Sequence, residues 1–271
     1  MMEADGYQQR YSGIGRLYGQ ANYHSLRDAH FLIIGIGGVG TWVAEALART
    51  GVGNLSLVDL DDVCVTNINR QIHALSNTIG QGKVHAMAER LRLINPEINV
   101  NLIEDFIDLD NIPQIIESSI SGVVDAIDSA TTKAAVIAYC KRQKIPMVTV
   151  GSAGGKRDPR LVTSIDLAKT TNDPLLAKTR NQLRRLYNFS KNTKRNFSIE
   201  AIYSTEQMVY PLPNGEVSHT FSSERDGNQL NCSGGFGSAT MVTGTFGFIA
   251  ASRILEKHFK KVDSQSSKIE N

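Results

Sequence analysis

The chain has 271 residues, 41% hydrophobic and 21% charged, with a net charge of +2. That length suits one large α/β domain with a sizeable core and requires no second domain, and so mild a charge does not by itself demand a nucleic-acid partner. Three cysteines, Cys64, Cys140 and Cys232, stand far apart without any C-x-x-C pair, which excludes a disulfide framework or a zinc ribbon. The segment Met1 to Arg10 is polar and carries no apolar signal core, so a cytoplasmic protein is the default expectation.

Residues 8–28 read as a helical segment leading into the first strand. The apolar run Phe31 to Ile34 then ends in a G-x-G-x-x-G turn made by Gly35, Gly37, Gly38 and Gly40. Behind it Val39, Val43, Ala44, Leu47 and Ala48 line one face of a helix that Gly51 closes. Strand, tight turn and helix together predict a nucleotide site, with backbone N–H groups and a helix N-terminus facing phosphate. The same glycines can also form a turn with no ligand. A second apolar run, Leu55 to Val58, ends in Asp59, about where a Rossmann fold places the carboxylate that holds a ribose, so NAD is the first candidate. The polar run from Asp59 to Gln71 argues against it, since Asn67 and Arg70 can donate to phosphate oxygens and suit a phosphate clamp better than a nicotinamide pocket. Asp61 reads either as a ligand contact or as a cap or turn residue.

Lys83 opens a helical pattern through Val84, Met87, Ala88, Leu91 and Ile94, ended by Asn95-Pro96. A lysine at a helix start opposes the dipole, a cost that contact with polyphosphate would explain. A strand from Ile98 to Ile103, a helical stretch near Ile112 to Ser118 and a strand from Gly122 to Ala126 follow, the last ending on Asp125 and Asp128. Asp125 is expected to support the strand end. Lys133 to Lys141 reads as helix with Cys140 a core thiol, Ile145 to Val150 as a strand running into a flexible glycine turn at 151–155, and Val162 to Leu167 as another strand. From Pro174 to Ile199 there is no acidic residue, and Lys178, Arg180, Arg184, Arg185, Lys191, Lys194 and Arg195 carry seven positive charges with Tyr187, Phe189 and Phe197 interleaved. Such a run is either a solvated face or a surface for RNA, with phosphate contacts and aromatic stacking on bases. Residues 203–231 read as a strand, a turn and a mobile polar segment leading to Cys232, which is either a structural thiol or, at a helix N-terminus, an activated one. From Ser233 to Ser252 no charge occurs for 20 residues, long enough for a hydropathy scan to flag 235–255 as a span, but five glycines and six Ser or Thr suit a helix packed on protein. Loose membrane association stays open. The tail after Lys260 is expected to be disordered.

The order of glycine turn, Asp59-Leu60-Asp61, Thr66-Asn67-Ile68-Asn69-Arg70-Gln71, Gly80-Gln81-Gly82-Lys83 and Asp125-Ala126-Ile127-Asp128 resembles the adenylating superfamily of ubiquitin-activating-like enzymes, also called the ThiF/MoeB type. Over residues 8–258 the resemblance extends to one subgroup, the tRNA threonylcarbamoyladenosine dehydratases, through Arg16-Leu17-Tyr18-Gly19, Asp61-Asp62-Val63-Cys64-Val65-Thr66-Asn67, Arg70-Gln71-Ile72-His73-Ala74, Tyr203-Ser204-Thr205-Glu206 and Cys232-Ser233-Gly234-Gly235-Phe236-Gly237. The resemblance implies a Rossmann-like, doubly wound, mainly parallel sheet with flanking helices and a C-terminal extension. It implies a single adenylating domain over 1–258, with 174–231 as a basic, mobile insertion and 259–271 as a tail.

The resemblance further implies ATP as substrate and Mg²⁺ on Asp128, with Arg70, Lys83, Asp128 and Cys232 as the catalytic candidates. The glycines, Asp59, Asp61, Asn67, Arg70 and Lys83 would bind the nucleotide. Arg16, with Arg10 as the fallback, would reach the nucleotide of a partner subunit in a homodimer. A monovalent cation is admitted and zinc is not expected. The implied reaction is adenylation of the threonyl carboxylate of N6-threonylcarbamoyladenosine in tRNA, then ring closure with net loss of water. A second reading is activation of a ubiquitin-like sulfur carrier, against which the absent C-x-x-C pairs and the basic run count. A third is a non-catalytic ATP-binding partner of a cysteine-desulfurase sulfur relay. Hydride transfer with NAD comes last.

Overall fold

The computed structural model describes residues 6–212, 214–220 and 236–269. Helices α1 (Gly6–Tyr18) and α2 (Gln20–Asp28) divide the expected N-terminal helical segment at Gly19, where φ is +86°. The core strands are β1 (His30–Ile34), β2 (Asn54–Val58), β3 (Asn99–Ile103), β4 (Gly122–Asp125), β5 (Met147–Val150), β6 (Val162–Asp166) and β7 (Glu200–Ser204). Between and after them run α3 (Gly40–Arg49), α4 (Lys83–Ile94), the short α5 (Ile112–Ile115), α6 (Ala130–Gln143), α7 (Pro174–Leu186), a ribbon of β8 (Tyr210–Pro211) and β9 (Val217–Ser218), and α8 (Thr240–Ile269).

The seven strands lie in the order β3-β2-β1-β4-β5-β7-β6. All neighbours are parallel except β6, which runs antiparallel to β7. This is the Rossmann-like sheet the motifs imply. β1, β4 and β5 are apolar on both sides because helices cover both faces. One layer packs α3, α4 and α8 on Phe31, Ile33, Leu55, Leu57, Val124 and Val148, and the other packs α6 and α7 on Leu32, Ile34, Val123 and Met147. The chain moves outward from β1 to β3 and then returns to β4 on the opposite side of β1. A crevice therefore opens at the carboxyl ends of β1 and β4, where ligands bind in such sheets.

Two expectations fail. Residues 174–204 are no insertion, because α7 covers a sheet face and β7 is hydrogen-bonded between β5 and β6. Nor is the tail disordered after Lys260: α8 continues to Ile269, since extending an established helix avoids the cost of nucleating one, and Glu256 pairs with Arg253 and Lys260 along it. The uncharged stretch is explained by close packing. A Cβ at Gly247 would stand 2.5 Å from the Cβ of Trp42 and 2.9 Å from the carbonyl oxygen of Val39, so only glycine lets α8 lie on α3 here. Among the described residues no helix is long and apolar enough to cross a membrane.

Candidate active site

The glycine turn joins β1 to α3 at the crevice. Gly35 takes φ +91°, and a Cβ at Gly40 would fall 1.8 Å from the carbonyl oxygen of Gly35, so the turn closes on itself without room for side chains. Around Gly37 the space is open. At the end of β2, Asp59 accepts from the Ile36 N–H at 2.7 Å through Oδ2 and from the Asp61 N–H at 3.0 Å through Oδ1, which ties this carboxylate to the glycine turn. Burial pushes the Asp59 carboxyl up, while the Lys83 ammonium and the two N–H donors pull it back. Lys83 lies buried at the start of α4, its Nζ 2.6 Å from Asp61 Oδ2 and 3.6 Å from Asp59 Oδ1. These two carboxylates offset the unfavourable helix-start position. Asp61 also accepts the first α4 N–H, from Lys83, at 2.9 Å through its backbone oxygen, so it serves as both cap and counter-charge.

Arg70 stands on the same turn. A Cβ at Gly38 would touch the Arg70 stem at 3.4 Å, and among the described residues the guanidinium bonds only to neutral oxygens, Thr66 O at 2.7 Å and Asn69 Oδ1 at 3.1 Å. Its charge is therefore available to phosphate. Trp42 Nε1 donates to the Arg70 carbonyl at 3.0 Å, and Thr240 at the head of α8 donates to the Asn69 carbonyl at 2.7 Å. Asn67 is buried, and its Oδ1 accepts from the Cys64 N–H at 3.0 Å, so that oxygen shapes the loop from within. Asp128 is exposed just past β4, ahead of α6, whose N-cap is Ser129. Among the described residues no cluster of three His, Cys, Asp or Glu could hold a metal, so Mg²⁺ here would take Asp128 plus phosphate and water oxygens, a set that suits a hard cation.

Other candidates are placed apart. Arg16 is exposed on α1, whose Tyr7 donates to the Gly51 carbonyl and whose Arg10 and Tyr11 donate to the Ile94 carbonyl. Those carbonyls lie at the far ends of α3 and α4, opposite the glycine turn, so the chain does not bring Arg16 or Arg10 to its own crevice. In the basic run Lys178, Arg185, Lys191, Lys194 and Arg195 are exposed. The interleaved aromatics do not offer stacking faces as expected. Phe197 is buried, meets Phe189 edge-on with centroids 5.0 Å apart, and carries Arg184 over its ring at 5.2 Å. Cys232 lies outside the described residues.

The family model for the ThiF family matches residues 9–267. The chain belongs to the ThiF family. It is 52% identical over 261 residues to the tRNA threonylcarbamoyladenosine dehydratase of Haemophilus influenzae, covering 96% of this chain and 97% of that one. It is also similar to the solved tRNA N6-threonylcarbamoyladenosine dehydratase of Escherichia coli in complex with ATP, with a TM-score of 0.85, 47% identity, and coverage of 98% of this chain and 100% of that one. The AMP complex of the same protein gives 0.85 and 47%, with 97% and 99% covered.

This ThiF-family site also contains groups that motif spacing did not reveal. Beneath Asp128, Lys133 Nζ donates to Asp125 Oδ1 at 2.9 Å, Thr149 Oγ1 donates to Asp125 Oδ2 at 2.7 Å, and all three side chains are fully buried. The Ile127 N–H reaches Asp125 Oδ1 at 3.1 Å, so this cluster sets the turn that presents Asp128. His73, next to the arginine turn, is also buried, and among the described residues no group meets either ring nitrogen in good hydrogen-bond geometry. Burial, with Lys83 and Arg90 adding to it, pushes its imidazole down to about 4. A histidine depressed in this way stabilises the fold above its unfolded value near 6.5 and loses that contribution as pH falls toward 4. Between about pH 7.5 and pH 5 the loss should be about 2 kcal/mol. Urea unfolding of wild type and His73→Leu at both pH values should show a smaller pH difference in the variant, and equal differences would refute the assignment.

Proposed function

We infer that the protein is an ATP-dependent dehydratase of N6-threonylcarbamoyladenosine in tRNA. The observation that carries this reading is the convergence of two cations, Arg70 on Gly38 and Lys83 on Asp59, at one phosphate-binding turn. The near full-length likeness to an enzyme of that name solved with ATP and with AMP supports it.

A carboxylate is a poor electrophile. Its oxygen attacks the α-phosphorus of ATP, the bond to pyrophosphate breaks, and the mixed anhydride of the threonyl group with AMP results. An internal nucleophile of the threonylcarbamoyl group then closes the ring, and AMP leaves with the former carboxylate oxygen, so one water is lost overall. Asp59 holds the ribose. The turn N–H groups, Arg70 and Lys83 hold the phosphates and stabilise the charge that builds during displacement. Mg²⁺, held by Asp128 and phosphate oxygens, would supply further neutralisation. Arg16 would contribute only across a homodimer, because its own crevice lies at the other end of the domain. The exposed cations of α7 and of residues 191–195 would bind the RNA backbone. A sulfur-relay partner rests on the resemblance alone.

Full-length protein incubated with Mg-ATP and tRNA carrying N6-threonylcarbamoyladenosine should yield, after gentle digestion, a nucleoside lighter by one water, with pyrophosphate and AMP released. Omitting ATP should leave it unchanged. An unchanged nucleoside in the complete reaction would sink the reading.

A further inference from the structure

Beyond the nucleotide crevice, a cavity of about 270 Å³ lies between the first half of α7 and the β8–β9 ribbon, lined by Asn172, Asp173, Arg180, Met208, Tyr210 and His219. Its walls are held from behind. Lys156, only 2% exposed, donates to the carbonyls of Asn172, at 2.9 Å, and Glu206. Asn172, at φ +53°, donates through Nδ2 to the Thr205 carbonyl at 2.8 Å, and His219 Nδ1 donates to the Met208 carbonyl at 3.1 Å. The cavity is thus formed before any ligand arrives.

Arg180 is half-buried, and its guanidinium bonds to the Thr170 hydroxyl and makes no ion pair among the described residues. Asp173, a carboxylate in the same lining, attracts Arg180 through space, but its hydrogen bonds go to backbone: Oδ1 accepts from the Leu176 N–H at 2.9 Å and Oδ2 from the Ser152 N–H at 2.8 Å. Partial burial makes this cation costlier to hold and Arg184 adds a like charge, which Asp173 only partly offsets. A planar, partly dehydrated fork with free donors matches an oxyanion. The same helix reaches the crevice, since Gln182 Nε2 donates to Thr131 Oγ1 at 3.2 Å, three residues after Asp128.

We propose that this cavity is a subsite for an oxyanion of the RNA substrate, with Arg180 as its ligand. The proposal rests on the tRNA reading above. A backbone phosphate is the favoured source, because α7 also exposes Lys178 and Arg185. The threonyl carboxylate is the other source of the same chemistry.

The test measures binding of an anticodon stem-loop RNA, with and without the threonylcarbamoyl group, to wild type, Arg180→Gln and Arg180→Lys over a salt series, with ATP affinity and Tm alongside. With phosphate in the subsite, Arg180→Gln should weaken both RNAs by about 10- to 100-fold and reduce the salt slope by about 0.7–1, while Arg180→Lys keeps the slope and loses only part of the affinity. ATP affinity should not change. Loss confined to the modified RNA would place the carboxylate at the subsite instead. Unaltered affinity and slope for both RNAs, with ATP binding intact, would overturn the subsite. Wild type that binds RNA but leaves the modified nucleoside intact would defeat the dehydratase reading and leave the subsite standing.

Discussion

Replacing Lys83 by methionine should slow adenylate formation by about 10²- to 10³-fold, the usual effect of removing one preorganised donor from a site of developing charge. The stem volume is kept and only the ammonium is lost. Because Asp59 is also held by the Ile36 and Asp61 N–H groups, the ribose grip should survive, and ATP affinity should fall by no more than about tenfold. In the structure the ammonium rests between Asp59 and Asp61, so on this reading ATP would exchange those carboxylates for phosphate oxygens. Pyrophosphate release and ATP titration on the same preparations separate the two effects. A rate within about threefold of wild type would remove Lys83 from the mechanism.

Lys133→Met should be the most destabilising single change in the crevice floor. Both partners of the Lys133–Asp125 pair are fully buried, and deleting the cation leaves a carboxylate that neither water nor Thr149 can neutralise. Breaking such a pair costs about 3–5 kcal/mol, which for a chain of this size lowers Tm by roughly 6–20 °C. Adding Asp125→Leu should recover much of the loss, since an apolar pair no longer buries a lone charge. Denaturant unfolding of the single and double variants decides the matter. A single variant within about 1 kcal/mol of wild type would refute the buried-pair argument.

The glycine turn, Asp59, Arg70 and Lys83 were legible in sequence because each belongs to a short motif whose spacing constrains its place on a strand end or helix start. The buried cluster was not. Asp125 could be read as a strand-end support, but its partners Lys133 and Thr149 lie on α6 and β5, and nothing local marks a lysine as buried. The basic run shows the opposite error. Its charges were visible, yet Phe197 proved to be a core residue with the partly buried Phe189 packed against it, since hydrophobic period alone does not distinguish a stacking face from a buried one. α8 outran the expected tail because composition reports how much apolar surface a segment can bury, not whether a helix is already there to extend.

The position of β7 also dictates an order of assembly during synthesis. β6 is complete at residue 166, but its only sheet partner among the described residues, β7, begins at residue 200. On a ribosome that adds about 5–20 residues per second, a finished β6 waits some seconds without a partner. The edge strand therefore depends on an element translated later, and the helix that fastens the Arg70 turn comes later still, starting at Thr240. A nascent chain has its glycine turn early and the helix that fastens it only near the end.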